Sequence, residues 1–297
     1  MKINLASILS WLILSLMPFQ SLSQDQTRLL LRVDDIGMCH AVNTAMKQFA
    51  ETGIPFSTSV MFACPWYLEA VEILKAYPQI SVGVHLTLNS EWQHYKWGPV
   101  LGKTVVPSLV DSNGYFFATH AEFNAHEIKV EEVEKELRAQ IARARRSGVK
   151  IDYLDYHMGT AVSRPELRAI VEKLAREYNV GLSLYFGEAY QTMFHIPIES
   201  KKDSLIAAVQ NLQPGKTHLM VMHVGFENPE MNALIDMDSP LMRTPDGSSL
   251  VSKHRQAELH ALCSPEFRAL IKTNKVAFIT YRDVVAQNGL KSMKKPN

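Results

Sequence analysis

Arg28-Leu-Leu-Leu-Arg-Val33 is a short, mostly apolar run that leads directly into a pair of acids, Asp34-Asp35. Six more runs of this kind follow, at 56–63, 80–88, 152–157, 180–186, 217–224 and 276–281. Amphipathic helical patterns separate them, at 42–51, 67–76, 127–146, 164–178, 204–212, 253–262 and 266–273. Apolar strands that alternate with helices are typical of a parallel sheet that is buried on both faces. The sequence therefore predicts an α/β fold.

Such a chain forms either a closed barrel or a doubly wound sheet. No Gly-x-Gly-x-x-Gly motif follows the first strand, so the usual reason to favour a dinucleotide-binding sheet is missing. A barrel of roughly 250 residues forms one domain. A single domain over residues 24–297 is therefore predicted, in which a (β/α) TIM-like barrel of about seven parallel strands and a doubly wound sheet both remain open.

Residues 1–23 have the three parts of a secretory signal peptide. Lys2 precedes an apolar run from Leu5 to Met17, and a small-x-small ending follows at 21–23. This run is shorter than the roughly 18–20 residues that a spanning helix needs, although an uncleaved anchor is the alternative. The expected location is periplasmic or secreted, with no stable membrane insertion after the signal is removed.

Charge and cysteine content narrow the class of protein. Lys and Arg number 31 against 30 Asp and Glu, so no strong positive field exists to attract nucleic acid. Three cysteines, Cys39, Cys64 and Cys263, are too few for a disulfide scaffold. Free thiols and a Cys39–Cys64 disulfide both remain open. A small-molecule or oligosaccharide substrate is expected, and a homodimer is compatible with the sequence.

Two stretches without periodicity follow predicted strands. They are residues 89–126, here the first long loop, and residues 227–252, here the second long loop. Loops of this length in a compact domain are usually binding loops or lids. Three local signals also mark helix ends: Ser163-Arg-Pro-Glu166 as a capping box, Ser264-Pro265 as a helix start, and Gly148 as a stop.

Ionisable side chains fall at the ends of four predicted strands. They are Asp34 and Asp35, His85, Asp155 with His157, and His223. The carboxyl ends of parallel barrel strands meet at one mouth, where barrels keep their chemistry. Two imidazoles and a carboxylate suit Zn²⁺ or a similar divalent ion. Each residue alone has a simpler explanation, such as a turn, a helix cap or a hydrogen-bonded core histidine. Burying the whole set without partners costs several kcal/mol, which a bound metal offsets.

Several segments, in order, resemble one known family. They are Leu31-Arg-Val-Asp-Asp-Ile-Gly37, Gly53-Ile-Pro-Phe-Ser-Thr-Ser59, Val82-Gly-Val-His-Leu-Thr-Leu88, Leu154-Asp-Tyr-His157, Met222-His-Val-Gly225, Val106-Pro-Ser-Leu-Val-Asp-Ser-Asn-Gly-Tyr-Phe116 in the first long loop, and Phe278-Ile-Thr-Tyr-Arg-Asp283. Together they resemble the YdjC-like carbohydrate deacetylases over essentially the whole chain after the leader. The resemblance implies a distorted barrel and metal-dependent removal of acetyl from an N-acetylated sugar.

The resemblance also implies roles for individual residues. Asp35, His85 and His157 match the metal ligands, Asp34 matches the general base, and His223 matches the acid near the leaving group. The chain departs from the common family pattern at Ile36, at Met158-Gly159 and at Val224. The last two departures weaken any transfer of substrate identity.

Two further expectations concern residues around this core. Asp155 either orients a metal-binding imidazole or binds a neighbouring loop. Trp92, Tyr95 and Trp97 in the first long loop either stack on sugar rings or fasten the loop by hydrophobic packing.

The expected cofactor is one divalent metal ion, with Zn²⁺ or Mg²⁺ favoured. The leading hypothesis is a metal-dependent carbohydrate deacetylase, a hydrolase of non-peptide C–N bonds. The alternatives are a metal-dependent hydrolase of another acyl ester or amide, and a non-catalytic exported carbohydrate-binding protein. The spare carboxylate of Asp34 beside a ligand argues against a binding protein, which has no need for it.

Overall fold

The computed structural model describes residues 27–273 and 276–296. The predicted signal peptide, residues 1–23, lies outside the described residues. None of the described helices is long and apolar enough to cross a membrane.

One parallel sheet forms the centre of the molecule. Its strands among the described residues are β1 (Arg28–Ile36), β2 (Ser57–Val60), β3 (Ser81–Leu86), β4 (Ile151–Tyr156), β5 (Gly181–Leu182), β6 (Ala189–Thr192), β7 (Thr217–Met222) and β8 (Ala277–Ile279). Their order is β5-β4-β3-β2-β1-β7-β6, and β8 pairs with the start of β1. All recorded pairs are parallel. The expected barrel-like α/β fold is confirmed, as a curled sheet in which no pairing within 27–273 and 276–296 joins β5 to β6.

Helices connect and cover the strands. They are α1 (His40–Ala50), α2 (Tyr67–Ala76), α3 (His120–Ala125), α4 (Val130–Arg146), α5 (Pro165–Tyr178), α6 (Lys201–Gln210), α7 (Pro229–Asn232), α8 (Val251–Cys263), α9 (Pro265–Thr273) and α10 (Tyr281–Asn288). The seven predicted helices are all present. The short helices α3 and α7 lie within the two long loops, and α10 follows the last strand.

The sequence signals for helix ends have mixed outcomes. The Ser264 hydroxyl accepts a hydrogen bond from the Phe267 backbone N–H at 3.1 Å, which confirms the start of α9. Gly148 has a φ of +87° just after α4, as a helix stop requires. The predicted capping box at Ser163 is wrong, because Arg164 is the N-cap of α5 and makes no side-chain cap bond. The Ser163 hydroxyl donates back to the Thr160 carbonyl instead.

The interior of the sheet packs closely where β3 meets β4. Gly83 pairs in register with Tyr153, whose ring is fully buried. A Cβ atom at Gly83 would overlap that ring. Glycine at this position therefore makes room for the tyrosine of the neighbouring strand.

All three cysteines are free thiols. The Cys39 sulfur lies 3.4 Å from the Met231 sulfur, and Cys64 is fully buried. The disulfide alternative is therefore not realised in this structure.

Candidate metal centre and active-site cavity

Polar side chains from four strands converge at the carboxyl end of the sheet. Asp34 and Asp35 end β1, His85 lies near the end of β3, and His157 and His223 directly follow β4 and β7. All five line one cavity of about 680 Å³. The parallel arrangement of the strands brings these residues together, as the sequence predicts.

Three donor atoms face one another inside this cavity. The Asp35 Oδ1 atom lies 3.3 Å from His85 Nε2 and 3.2 Å from His157 Nδ1. Each of the three residues offers one atom to a group whose atoms lie within 4.8 Å of one another. Asp35 Oδ1 is buried and makes no hydrogen bond. A carboxylate oxygen and two imidazole nitrogens are suitable ligands for a divalent cation, so these residues fit a metal centre.

Electrostatics around the three residues favour positive charge. Burial disfavours the protonated, charged form of each imidazole, but the attraction of neighbouring carboxylates is stronger. The pKa of His85 is therefore raised to about 9 and that of His157 to about 10. Burial likewise opposes the charged form of Asp35, yet Arg255 and the two histidines hold its pKa well below the usual value. The cluster therefore attracts cations, and a divalent ion held by these three residues would take the place of the imidazole protons.

Each imidazole also has a carboxylate behind it. His85 Nδ1 lies 3.0 Å from Asp155 Oδ2, and His157 Nε2 lies 2.9 Å from Glu91 Oε2. Asp155 therefore contacts His85 rather than His157, because β3 and β4 pair His85 with Asp155 in register. Such carboxylates fix the tautomer and orientation of metal-binding histidines.

Sequence reasoning missed Glu91. Its signal is weak, because Glu91 is an acid in the first long loop and six residues separate it from His85. No strand periodicity positions it, and only the folded loop brings it to His157.

Two buried guanidinium groups pair with the carboxylates of the site, and sequence reasoning missed both of them. Arg32 makes two 2.8 Å bonds to the Asp34 carboxylate and lies 3.2 Å from Asp155 Oδ1. Arg255, from α8, lies 2.5 Å from Asp35 Oδ2. For Arg32 a signal exists, since it stands two residues before Asp34 and so on the same face of β1.

His223 lies at the cavity wall and is held through its backbone. Its N–H donates to Glu258 Oε2 at 2.6 Å, and Glu258 itself pairs with the buried Lys201 at 2.7 Å. The Nδ1 atom of His223 is buried without a hydrogen-bond partner. Burial lowers the pKa of His223 to about 4, so its ring is neutral at pH 7.

The three aromatic residues of the first long loop have different positions. Trp92 lines the cavity. The central carbon of the Arg255 guanidinium lies over the Trp92 ring, 5.8 Å from the ring centroid. Trp97 is buried and donates from Nε1 to the Asn89 carbonyl at 2.7 Å. Tyr95 bonds to the Met38 carbonyl. Tyr95 and Trp97 thus fasten the loop, and only Trp92 borders the space where a substrate fits.

The two long loops join over the cavity. Trp92 and Asp236 form an antiparallel bridge, and the Met237 N–H donates to the Glu91 carbonyl at 2.9 Å. Both loops therefore stand at the carboxyl end of the sheet, as expected of loops that follow strands. Their junction also fixes the backbone of Glu91, the partner of His157.

Comparison with known proteins adds a family and a fold. The model of the YdjC-like protein family matches residues 28–273. The chain is also similar to a solved structure from Enterococcus faecalis V583, proposed to be a cellobiose-phosphate cleavage protein. The two share 24% identity with a TM-score of 0.69, and the match covers 88% of this chain and 99% of that one.

Two curated relatives are both named carbohydrate deacetylase. One, from Enterococcus faecalis, is 33% identical over 156 residues, which are 52% of this chain and 57% of the relative. The other, from Vibrio cholerae serotype O1, is 23% identical over 262 residues, which are 87% of this chain and 97% of the relative.

Proposed function

The chain belongs to the YdjC-like protein family, and from this premise we propose that it is a metal-dependent carbohydrate deacetylase. The reaction adds water across the acetamide C–N bond of an N-acetylated sugar and releases acetate and a free amine. The curated relatives named carbohydrate deacetylase support this hydrolase class. The observation that carries the proposal is the group Asp35, His85 and His157, with Asp34 beside it in one cavity.

Asp35, His85 and His157 would hold one divalent metal ion. Such an ion lowers the pKa of water and polarises a carbonyl group, which are the two requirements of amide hydrolysis. Asp155 and Glu91 accept hydrogen bonds from the far nitrogens of the two imidazoles and keep the near nitrogens directed inward. The outer oxygen of Asp35 is held by Arg255, which leaves Oδ1 for the metal.

Asp34 serves as general base. Its carboxylate lines the cavity directly beside Asp35 and is nearly fully buried. The two bonds from Arg32 fix its orientation, and each carboxylate oxygen has a second lone pair that can take a proton from the attacking water.

His223 transfers a proton to the departing sugar nitrogen. Its lowered pKa means that it enters the reaction as a neutral imidazole, and the proton that Asp34 takes from the attacking water supplies the one that His223 passes on. An imidazolium with so low a pKa is a stronger acid than free histidine, so it gives the proton up readily. Trp92 closes one side of the cavity, with its ring against the Arg255 guanidinium.

Acetate release tests the proposal. Purified protein is stripped of metal, reloaded with Zn²⁺ or Mg²⁺ separately, and incubated with N-acetylated chito-oligosaccharides. We expect release that a chelator abolishes and that one of the metals restores. Stoichiometric metal binding without acetate release from any oligosaccharide would contradict the deacetylase function and favour another acyl substrate.

We also propose that the protein acts outside the cytoplasm, on the basis of its N-terminal leader. Mass spectrometry of protein from a host that exports it should show a chain that begins at Gln24. An intact leader on the isolated protein would instead indicate an uncleaved anchor.

A further inference from the structure

The cavity has a strong excess of acidic side chains. Six carboxylates line it: Asp34, Asp35, Glu91, Asp155, Asp236 and Asp238. The described part of its lining contains two guanidinium groups, Arg32 and Arg255, and no lysine. Even with a divalent cation bound and the imidazoles neutral, two negative charges remain in excess. The space that receives the substrate is therefore electronegative.

Neither guanidinium group is available to a bound anion. Arg32 is engaged by Asp34 through two nitrogens and by Asp155 through the third. Arg255 binds Asp35 through Nη2, and its Nη1 atom is buried without a hydrogen-bond partner and out of contact with solvent. With the imidazoles neutral, a phosphate or carboxylate on a substrate would find no solvent-exposed cationic side chain among the described residues that line this cavity.

An acid also stands at the mouth of the cavity. Asp238 is exposed and belongs to the second long loop. Its turn is fixed from behind by Asp236, whose Oδ1 accepts the backbone N–H groups of Asp238 and Ser239 at 2.9 and 2.8 Å. Burial raises the pKa of Asp236 to about 6, so this acid is ionised at pH 8. An incoming substrate meets this charge before it reaches the metal-binding residues.

We propose that the cavity selects neutral and amine-bearing sugars against sugars that carry a phosphate or carboxylate group, with Asp238 as a specificity-determining residue. The inference rests on the proposed deacetylase function and names the charge class of its substrate. Like charges brought together in a site of low dielectric repel strongly, whereas an ammonium group is attracted.

Competition between charge classes tests this inference. The kcat/KM of metal-loaded protein is measured at pH 8 for an N-acetylated disaccharide, for its 6-phosphate, and for the disaccharide with one free amine. We expect the neutral substrate to exceed the phosphate ester at least about tenfold, and the amine-bearing substrate to equal or exceed the neutral one. The ratio of neutral to phosphorylated substrate should fall as salt is raised from about 0.05 to 0.5 M.

Two charge-reversal variants test whether the preference for neutral over phosphorylated substrate arises at the mouth of the cavity. Asp238→Lys should lower the neutral-to-phosphorylated ratio at least about threefold. The matched control Asp203→Lys, on α6 and outside the cavity lining, should leave the ratio unchanged. Equal use of the phosphate ester by the unmodified protein, or a ratio that Asp238→Lys does not move, would overturn the inference alone. Absence of acetate release from all three substrates would overturn the deacetylase function, and the inference with it.

Discussion

Arg255 holds Asp35 at Oδ2, whereas Oδ1 faces the two imidazoles and makes no hydrogen bond. Each imidazole is in turn backed by a second carboxylate, Asp155 or Glu91. At the scale of single residues, Asp35, His85 and His157 each have one atom in a contact that positions the side chain and one atom left for a metal. This division allows the roles of neighbouring residues to be separated by substitution.

Substitution of Asp34 and substitution of His157 should impair different properties of the protein. Asp34→Asn should keep its metal but lose about 10²- to 10⁴-fold in kcat, because an amide cannot take a proton from water. His157→Ala should lose metal affinity itself, because it removes one of three ligands. Metal content by mass spectrometry and acetate release are measured on both variants. Near-normal turnover by Asp34→Asn would remove Asp34 as the base.

Glu91→Gln should weaken metal binding without removing a ligand. The amide oxygen can still accept a hydrogen bond from His157 but no longer supplies a charge, so we expect about a 10- to 100-fold loss of affinity. Isothermal titration of metal-free protein gives the value. Glu122→Gln, in the same long loop but outside the cavity, is the control. Equal affinity in Glu91→Gln and unmodified protein would show that Glu91 only fastens the loop.

The sequence predicts the convergence of the five chemical residues but not their partners. Asp35, His85 and His157 could be found because they occur at the ends of parallel strands, and strand ends meet by topology. Glu91 and Arg255 could not be found from the sequence. Glu91 lies in a long loop, and Arg255 lies in a helix whose position relative to the strand ends no short-range pattern gives. Asp155 was expected either to orient an imidazole or to bind a neighbouring loop, and only the register of β3 and β4 shows that it contacts His85.

At the scale of secondary structure elements, β3 and β4 form the wall that carries His85 and its partner Asp155. The two strands fit because Gly83 leaves space for the buried ring of Tyr153. The position of His85, a proposed metal ligand, thus depends on a glycine two residues before it.

Gly83→Ala should destabilise the protein by about 1–3 kcal/mol, since the added methyl group forces the ring out of its site. Urea denaturation measures the loss. In a Tyr153→Leu background the same change should have a much smaller effect, because the smaller side chain leaves room. An equal loss in both backgrounds would show that the two residues do not interact in this way.

Prediction of the elements was accurate where their hydrophobic pattern was strong. The seven helices with clear amphipathic patterns are present, and each predicted apolar run overlaps a strand. The bounds were wrong for 180–186, which forms only the two-residue β5, and for 276–281, which forms only the three-residue β8. The strand β6 was missed because Ala189–Thr192 is a partly exposed edge strand without an apolar run. The helix α10 was missed even though Thr280 and Asp283 form a capping box at its start.

At the scale of the whole molecule, the cavity joins distant parts of the chain: five strands, the helix α8 and both long loops. No single segment contains the centre, so a metal that binds there stabilises the folded chain against the unfolded one. The binding residues are buried and pre-arranged, which is the condition for such a linkage.

Metal should therefore raise the melting temperature. A metal concentration of 100 times Kd adds about 2.7 kcal/mol, which corresponds to roughly 5–10 °C for a chain of this size. Differential scanning calorimetry with metal and with chelator gives the shift. His157→Ala should show little or no shift, and an equal shift in this variant would place the metal at another site.

The junction of the two long loops has a consequence for engineering. Because Trp92 bridges Asp236 and Glu91 bonds to Met237, neither loop has an independent conformation at the point of contact. A loop grafted from a relative would meet a partner shaped for another sequence and would pull Glu91 away from His157. Transplanting specificity between members of the family therefore requires the exchange of both loops together, as one cassette made from two separate stretches of the gene.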